Sequence, residues 1–195
     1  MSILARYRGV LNSFAKGFPA VAGYFSRGDF TTDVYKWAFP SDAVSATTSA
    51  PDAMFAHAGF ANPAVAGYFS RRTFFDTVYK WAFPSDAVST TTSVPDDVED
   101  HAGFADPAVA GYFSQGDFAT PVFKWAFPSD AVSTTTSAPL AMRYHAGFAN
   151  PAVAGYFSRG SITVTVYKWA FPSDAVSTTT SSPANMEFHA GFADA

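Results

Sequence analysis

The sequence predicts an all-β fold, a β-propeller built of four 44-residue, four-stranded blades, and two observations support this prediction. The first is an internal repeat: the segment PAVAGYFS begins at Pro19, Pro63, Pro107 and Pro151, so each copy lies 44 residues after the previous one. The second is the residue pattern within each repeat, in which short aromatic and β-branched runs alternate with turn residues and no helical period is sustained. Four short strands in about 40 to 50 residues are the size of a propeller blade.

The repeat extends over most of the chain. KWAFPSDAVS and HAGFA recur at the same spacing, and 28 of the 44 aligned columns are identical in all four copies. The predicted domain spans residues 19–195, and its repeats are 19–62, 63–106, 107–150 and 151–194. Residues 1–18 precede it as either an N-terminal extension or a degenerate inner strand. A β-solenoid is the alternative architecture, although its coils usually have shorter repeats.

The first repeat shows the four expected strands in order. Residues 20–26 (AVAGYFS) form a compact apolar run, and in residues 33–39 (DVYKWAF) aromatic side chains alternate with Val, Lys and Ala. Residues 39–42 (FPSD) end that strand, because Pro fixes φ and Asp favours local turn bonds. The threonine-rich residues 44–49 form a predicted edge strand, and residues 55–61 (FAHAGFA) form the fourth strand.

The order of these strands resembles a known repeat family. Residues 142–149 (MRYHAGFA) are followed by VAGYF at 153–157 and VYKW at 166–169. This resembles the kelch order of a His-containing inner strand, a Tyr-containing second strand and a third strand with an aromatic residue. The array is most similar to diverged kelch-like repeats of phage and environmental bacterial sequences. The resemblance implies that HAGFA is inner strand A, AVAGYFS strand B, VYKWAF strand C and VSTTTS strand D.

Strand A has one copy that no strand B follows. It is expected at residues 55–61, 99–105, 143–149 and 187–193, and the last copy ends the sequence. That copy is expected either to complete the first blade and close a ring, or to pair with a neighbouring molecule by strand addition. Residues 4–12 resemble the same strand, which would make one A strand surplus. Closure is therefore expected within one chain, across two chains as eight blades, or in a polymer.

Variation between the repeats is concentrated in two stretches. Twelve of the 16 variable columns lie after strand B or before strand A, at residues 27–33 and 52–56 in the first repeat. In an A-B-C-D meander the B–C and D–A connections emerge on one face, and the invariant turns lie on the opposite face. Loops on a rigid scaffold are the usual place for recognition. This variable face is either a binding surface or the place where substitution costs least.

The candidate binding residues are the Arg and aromatic side chains of the variable face, which are residue types enriched at binding hot spots. They are Arg27, Phe30, Arg71, Phe74, Phe118, Arg143, Tyr144, Arg159 and Phe188. If the face binds sugars, the phenylalanines at 30, 74 and 118 are the side chains on which a sugar ring would stack.

The histidines of the HAGFA segments are the sharpest candidates for metal chemistry. They are His57, His101, His145 and His189, one in each repeat. One His per blade on an inner strand would form a ring around a central channel, and such a ring can bind a metal. A buried His that bonds the backbone of the neighbouring blade is the interpretation we favour, so no metal or cofactor is expected.

Two further invariant motifs have structural interpretations. Ser41-Asp42 is interpreted as a turn after Pro40 rather than as part of a catalytic set. Lys36 is expected to lay its aliphatic stem over an aromatic ring, with cation–π character. Catalysis needs one asymmetric constellation with distinct roles, and a site copied four times identically does not match that need. The sequence therefore predicts a protein that is not an enzyme.

Bulk composition excludes several other classes. The net charge of −4 argues against general nucleic-acid binding, and the absence of cysteine excludes disulfides, thiolate catalysis and Cys-ligated zinc. No apolar run reaches the roughly 18 residues of a membrane span. No Sec signal peptide is expected, because Arg6, Arg8 and Lys16 interrupt the N-terminal segment.

These observations favour a non-enzymatic structural or assembly protein, a virion or surface-fibre component with a variable recognition face. Its expected partners are further copies of itself, neighbouring structural proteins and surface glycans. It is expected on the virion or an extracellular surface, reached without a Sec signal after cytoplasmic synthesis. The alternative function is that of a carbohydrate-binding, lectin-like propeller with one weak site per blade, summed by avidity.

Overall fold

The regular structure of the chain consists entirely of β-strands in the part that is described. The computed structural model describes residues 22–26, 30–39, 41–72, 75–96, 98–160 and 163–186. These residues form fifteen strands and no helix, and therefore no helix that is long and apolar enough to cross a membrane. The all-β class predicted from the sequence is confirmed.

The strands form four separate antiparallel sheets, which we number 1 to 4 in chain order. Sheet 1 contains β1 (Ala22–Ser26), β2 (Val34–Ala38) and β3 (Ala43–Ala46). Sheet 2 contains β4 (Gly59–Asn62), β5 (Ala66–Arg72), β6 (Phe75–Ala82) and β7 (Ala87–Thr90). Sheet 3 contains β8 (Gly103–Asp106), β9 (Ala110–Ser114), β10 (Val122–Ala126) and β11 (Val132–Thr134). Sheet 4 contains β12 (Gly147–Asn150), β13 (Ala154–Ser158), β14 (Val166–Ala170) and β15 (Ala175–Thr178).

Each four-stranded sheet is a simple meander in the predicted A-B-C-D order, since neighbours in sequence are neighbours in the sheet. The inner strand is shorter than predicted and begins at Gly59 rather than at Phe55. The residues before it cross between sheets: the Met54 amide donates to Thr31 beside sheet 1, and the Phe55 amide donates to Arg71 of sheet 2. Because residues 54 and 55 bond to two different sheets, they belong to the connection between the sheets and not to the inner strand.

Both surfaces of the central sheets are covered. In β6, Tyr79 and Trp81 lie on one surface and Val78 and Lys80 on the other, as the alternation of a strand requires. All five residues of β9 are buried. Strands that are buried on both surfaces need sheets packed on each side, and sheets 2 and 3 have such neighbours.

The hydrophobic core lies between consecutive sheets rather than at one centre. Each of three buried clusters combines aromatic side chains of two sheets. Between sheets 2 and 3, Phe60 and Tyr68 pack against Phe113 and Trp125, and the Phe60–Phe113 ring centroids are 4.6 Å apart. Each fully buried large side chain contributes about 2 kcal/mol to stability. The sheets are held together by this repeated aromatic packing.

The inner strands of sheets 2, 3 and 4 approach one another closely at one glycine in each strand. A Cβ on Gly103 would lie 2.9 Å from the carbonyl oxygen of Gly59, and one on Gly147 would lie 2.8 Å from that of Gly103. Real Cβ atoms do not approach backbone oxygen so closely, so only glycine fits. The invariance of this glycine in HAGFA has a steric reason.

Sheets 1 and 4 are the two ends of the described array. Consecutive sheets follow each other in a propeller-like order, and within the described ranges no strand of sheet 1 contacts a strand of sheet 4. The predicted strand copies at 4–12 and 187–193 lie outside the described residues. Ring closure by either of them remains a prediction.

Candidate binding face

The two variable stretches of a repeat lie side by side. Thr31, which follows β1, forms an antiparallel bridge with Met54, which precedes β4. The equivalent bridges in later repeats are Ala119–Met142 and Thr163–Met186. Met54 and Met142 are fully buried, so they anchor the connection beneath the loops. The B–C and D–A connections therefore form one surface, the variable face.

Two phenylalanines project from this face in an unusual backbone conformation. Phe30 and Phe118 share one column of the repeat, and their exposed fractions are 51% and 58%. Their φ angles are +57° and +58°, a left-handed region that bulky residues rarely adopt. Their amides donate to the carbonyls of Met54 and Met142 at 3.2 Å and 3.1 Å. A conformation of this kind costs about 1–3 kcal/mol and is typical of ligand sites.

Phe30 forms a flat apolar platform with a second ring. Its centroid is 4.4 Å from that of Phe55, and the planes are 15° apart, so the rings stack. Phe55 comes from the other variable stretch, immediately before the inner strand. The platform is thus built by both connections of the first repeat.

Arg143 and Tyr144 form a second cluster around Phe118. The Arg143 guanidinium carbon lies 4.7 Å from the Phe118 ring and 4.3 Å from the Tyr144 ring, within cation–π range. Its Nε donates to Asp100 at 3.1 Å. These contacts hold the guanidinium in place, and its further N–H groups can donate to an acceptor.

Arg71 and Arg159 mainly hold the loops in place. Arg71 lies 4.0 Å from the Phe75 ring and 3.5 Å from Asp52, and the Nε of Arg159 donates to the carbonyl of Ala141 at 3.1 Å.

Burial, together with a hydrogen bond donated to Asp52, raises the pKa of Tyr79 to about 12. The predicted candidates Arg27, Phe74 and Phe188 lie outside the described residues.

Each described histidine of the predicted ring links two sheets. Nε2 of His57 contacts the hydroxyl of Ser26 in sheet 1, and the same contact joins His101 to Ser70 and His145 to Ser114. These residues are all buried. The link between neighbouring sheets agrees with the favoured interpretation, and the group that Nε2 contacts is a serine hydroxyl. No group of three or more His, Cys, Asp or Glu among the described residues could hold a metal, and His189 lies outside them.

The invariant aspartate of the FPSD turn accepts hydrogen bonds from the preceding sheet. Asp130 accepts from the hydroxyl of Tyr68 at 2.8 Å and from Nζ of Lys80 at 2.6 Å. Asp86 has the same donors in Tyr24 and Lys36, and Asp174 has them in Tyr112 and Lys124. The expected cation–π contact of Lys36 is confirmed, with its Nζ 5.3 Å from the Tyr24 ring.

These contacts change the ionisation of the groups involved. Burial opposes the charge on Asp130, but hydrogen bonds from Lys80 and Tyr68 outweigh it and hold the pKa of the carboxyl below its usual value. Burial and the hydrogen bond to Asp130 raise the pKa of Tyr68 in turn. The set is therefore stabilised as a neutral phenol and a charged Lys–Asp pair.

Sequence reasoning missed this role of the aspartate. The turn interpretation holds locally, since the amide of Ala43 donates to Ser41 Oγ at 3.4 Å. The donors to Asp130, however, lie 62 and 50 residues earlier in the chain, beyond the reach of local pattern. The available signal was that Tyr, Lys and Asp are invariant together in all four repeats.

The arrangement of sheets is similar to that of part of a larger solved structure. The crystal structure of an auxiliary nutrient binding protein from Bacteroides thetaiotaomicron matches with a TM-score of 0.62 and 11% sequence identity. The match covers 87% of this chain but only 40% of that protein, so this chain spans well under two thirds of its length. The likeness supports an all-β, propeller-like fold. No protein-family model and no curated protein sequence matches this chain.

Proposed function

We propose that this chain is a non-enzymatic structural protein, a virion or surface-fibre component, whose variable face recognises a partner. One observation carries the proposal: Phe30 and Phe118 are held in left-handed backbone with more than half of each residue exposed. Backbone strain of this kind is retained where function needs it, and aromatic residues are enriched at hot spots.

The repeated polar contacts support a role without catalysis. The His–Ser contact and the Tyr–Lys–Asp set recur with the same partners between successive sheets. Groups that hold sheets together are expected to repeat in this way. Catalysis would need one asymmetric set with distinct roles.

The proposal extends to the finer architecture, in which each sheet is a blade of a kelch-like propeller. The meander order and the packing of consecutive sheets support it. Sheet 1 has three strands among the described residues, and residues 4–12 or 187–193 would supply its inner strand.

A carbohydrate-binding role is the second candidate. The stacked pair of Phe30 and Phe55 offers a flat apolar surface of the kind on which a sugar ring stacks. Arg143 beside Phe118 offers N–H donors for sugar hydroxyls. The nutrient-binding name belongs to the structural neighbour, and only the general idea of small-ligand recognition is carried over.

The two candidates are separated by a cell-binding experiment. Fluorescently labelled protein is added to a panel of bacterial cells that are untreated, protease-treated or periodate-treated, since periodate destroys glycans. Loss of binding after protease alone supports recognition of a protein partner, and loss after periodate alone supports the carbohydrate candidate.

Variants test whether the variable face is responsible. The double variant Phe30→Ala/Phe118→Ala is expected to lower binding to these cells at least ~10-fold, as for two hot-spot residues. Ser133→Ala, an exposed change on β11, is the matched control and should leave binding unchanged. Equal binding by wild type and the double variant would overturn the proposed recognition role.

A further inference from the structure

Consecutive sheets are joined by one repeated set of contacts with two distinct sides. At the interface of sheets 2 and 3, Phe60 packs over Gly111, where a Cβ would lie only 2.1 Å from the Phe60 ring. Tyr68 and Lys80 donate to Asp130 across the same interface. We call the side with Phe, Tyr and Lys the donor face of a sheet, and the side with Gly, Trp and Asp its acceptor face.

Sheet 1 presents an acceptor face that no other described sheet covers. Trp37 and Phe39 are 39% and 44% exposed, whereas Trp81 in the same column as Trp37 is fully buried. Asp42 is exposed and accepts from Nε1 of Trp37 in its own sheet at 3.3 Å. Among the described residues, the side chain nearest to a Cβ on Gly23 would be Phe39, at 3.6 Å, and none of these residues fills the space that an inner-strand phenylalanine fills elsewhere.

Sheet 4 presents the matching donor face. Phe148 and Tyr156 form the same stacked pair as in the internal interfaces, with centroids 5.1 Å apart, but both remain partly exposed. Val153 beside them is 54% exposed. Within the described part of the chain Lys168 has no carboxylate partner, unlike Lys36, Lys80 and Lys124.

We propose that the donor face of sheet 4 binds the acceptor face of sheet 1 in a second copy of the chain. Phe148 then enters the space over Gly23, and Tyr156 and Lys168 donate to Asp42. The two faces complement each other in shape and charge, with one ammonium meeting one carboxylate. The partner is a second copy because both faces are exposed within the chain: among the described residues nothing buries Trp37 and Phe39 of sheet 1 or Val153 of sheet 4.

The contact is head-to-tail, so each association leaves the same two faces free at the ends. Such heterologous contacts form a closed ring when the rotation between copies closes, and a filament when it does not. This inference deepens the structural part of the proposed function and rests on it. Its readout is native mass, so it can fail while partner recognition by the variable face stands.

A charge-reversal experiment tests the contact. The variants Asp42→Lys and Lys168→Asp are exposed or half-exposed changes, and far-UV circular dichroism checks that each folds. Light scattering is expected to give wild type a mass of at least two 20.8-kDa chains. Each single variant should associate at least ~10-fold more weakly, because its interface sets like charges together.

Mixing the two variants distinguishes copies from self-closure. In an equimolar mixture the carboxylate introduced on sheet 4 of one variant meets the ammonium introduced on sheet 1 of the other. The remaining interface is the wild-type pair, so association should return, and the double variant on one chain should also associate. A wild type that stays at 20.8 kDa overturns the proposal, as do multimers that neither single variant weakens. Failure of both the mixture and the double variant to associate would also overturn it, because each restores the charge pair of the proposed contact.

Gly23→Ala gives an independent test without changing charge. The new methyl group has room in the isolated sheet but occupies the space proposed for Phe148. Association should fall at least ~10-fold, while the melting temperature of the single chain should not fall. Iodide quenching provides a second readout, because one of the four tryptophans, Trp37, is exposed until a copy covers it. If Gly23→Ala associates as strongly as wild type and its Trp37 is still quenched by iodide, the proposal is contradicted.

Discussion

Asp130 serves both the turn in which it lies and a contact with the preceding sheet. Its φ of +58° closes the tight connection between β10 and β11, a conformation that Asp tolerates better than most residues. Its amide donates to the carbonyl of Ala126 at 3.0 Å, and its carboxylate accepts from Tyr68 and Lys80. Local turn chemistry and long-range charge pairing thus favour the same residue.

Replacing Asp130 with Asn is expected to preserve the turn but remove the ion pair. Lys80 is left half-buried without its carboxylate, so the free energy of unfolding should fall by about 1 kcal/mol, a figure discounted for partial exposure. Asp42→Asn is the matched control, since no described sheet donates to that carboxylate from across an interface, and it should change stability little. Both are measured by urea unfolding in a Lys168→Asp background, which keeps association out of the comparison. Equal losses at the two positions would contradict the role given to the interface.

The same carboxylates predict how stability depends on pH. Their folded pKa values are lowered, so the unfolded chain binds more protons than the folded chain as pH falls below about 4. Their stabilising effect is complete above about pH 5 and is lost as pH falls through the folded pKa values. The urea midpoint should therefore be level between about pH 5 and about pH 7, and drop below about pH 4. The drop should be shallower in Asp130→Asn, and a midpoint that rises on acidification would contradict this account.

At the scale of strands, glycine sets how closely two sheets can approach. Phe104 of β8 lies over Gly155 of β13, where a Cβ would be 2.3 Å from its ring, just as Phe60 lies over Gly111. The strand therefore gives up a side chain at its centre so that an aromatic ring from the next sheet can fill the space. The position of this residue in the interface, rather than its intrinsic strand propensity, explains why it is glycine.

Gly111→Ala is expected to destabilise the chain by about 1–3 kcal/mol, because the buried Phe60 ring has no room to move aside. Gly23→Ala changes the same column in sheet 1, where the nearest atom is 3.6 Å away. It should leave stability unchanged or raise it by up to about 1 kcal/mol, since alanine restricts the unfolded chain. Thermal unfolding of both variants in the Lys168→Asp background measures the difference, and similar losses at both positions would refute the steric explanation.

Strand order could be predicted from the sequence because it follows from local signals. The FPSD turn and the central Gly-Tyr-Phe run repeat every 44 residues, and a meander needs only neighbouring strands to pair. The partners of His101 and Asp130 could not be predicted, because they depend on how one sheet packs on the next. The prediction that strand A begins at Phe55 is wrong for the same reason: the hydrogen bond of Phe55 is set by the crossing between sheets.

At the scale of the whole molecule, the described sheets form a linear series in which each contacts only its neighbours. The strand contacts between sheets join sheet 2 to sheet 3 and sheet 3 to sheet 4, and side chains join sheet 1 to sheet 2. In such arrays stability is approximately a sum of repeat and interface contributions. The same residue is therefore expected to contribute differently in a central sheet and in an end sheet.

Tryptophan of strand C tests this dependence on position. Trp125 is fully buried between sheets 2 and 3, so Trp125→Ala should lower the free energy of unfolding by about 3–5 kcal/mol. Trp37, in the same column, lies 39% exposed at the uncovered face of sheet 1, and Trp37→Ala should cost less than about 1 kcal/mol in the Lys168→Asp background. Urea unfolding gives both values, and hydrogen exchange should show the loss at Trp125 in sheets 2 and 3 together. Equal costs at both positions would mean that sheet 1 is covered in the single chain, and that the array closes on itself rather than ending at an open face.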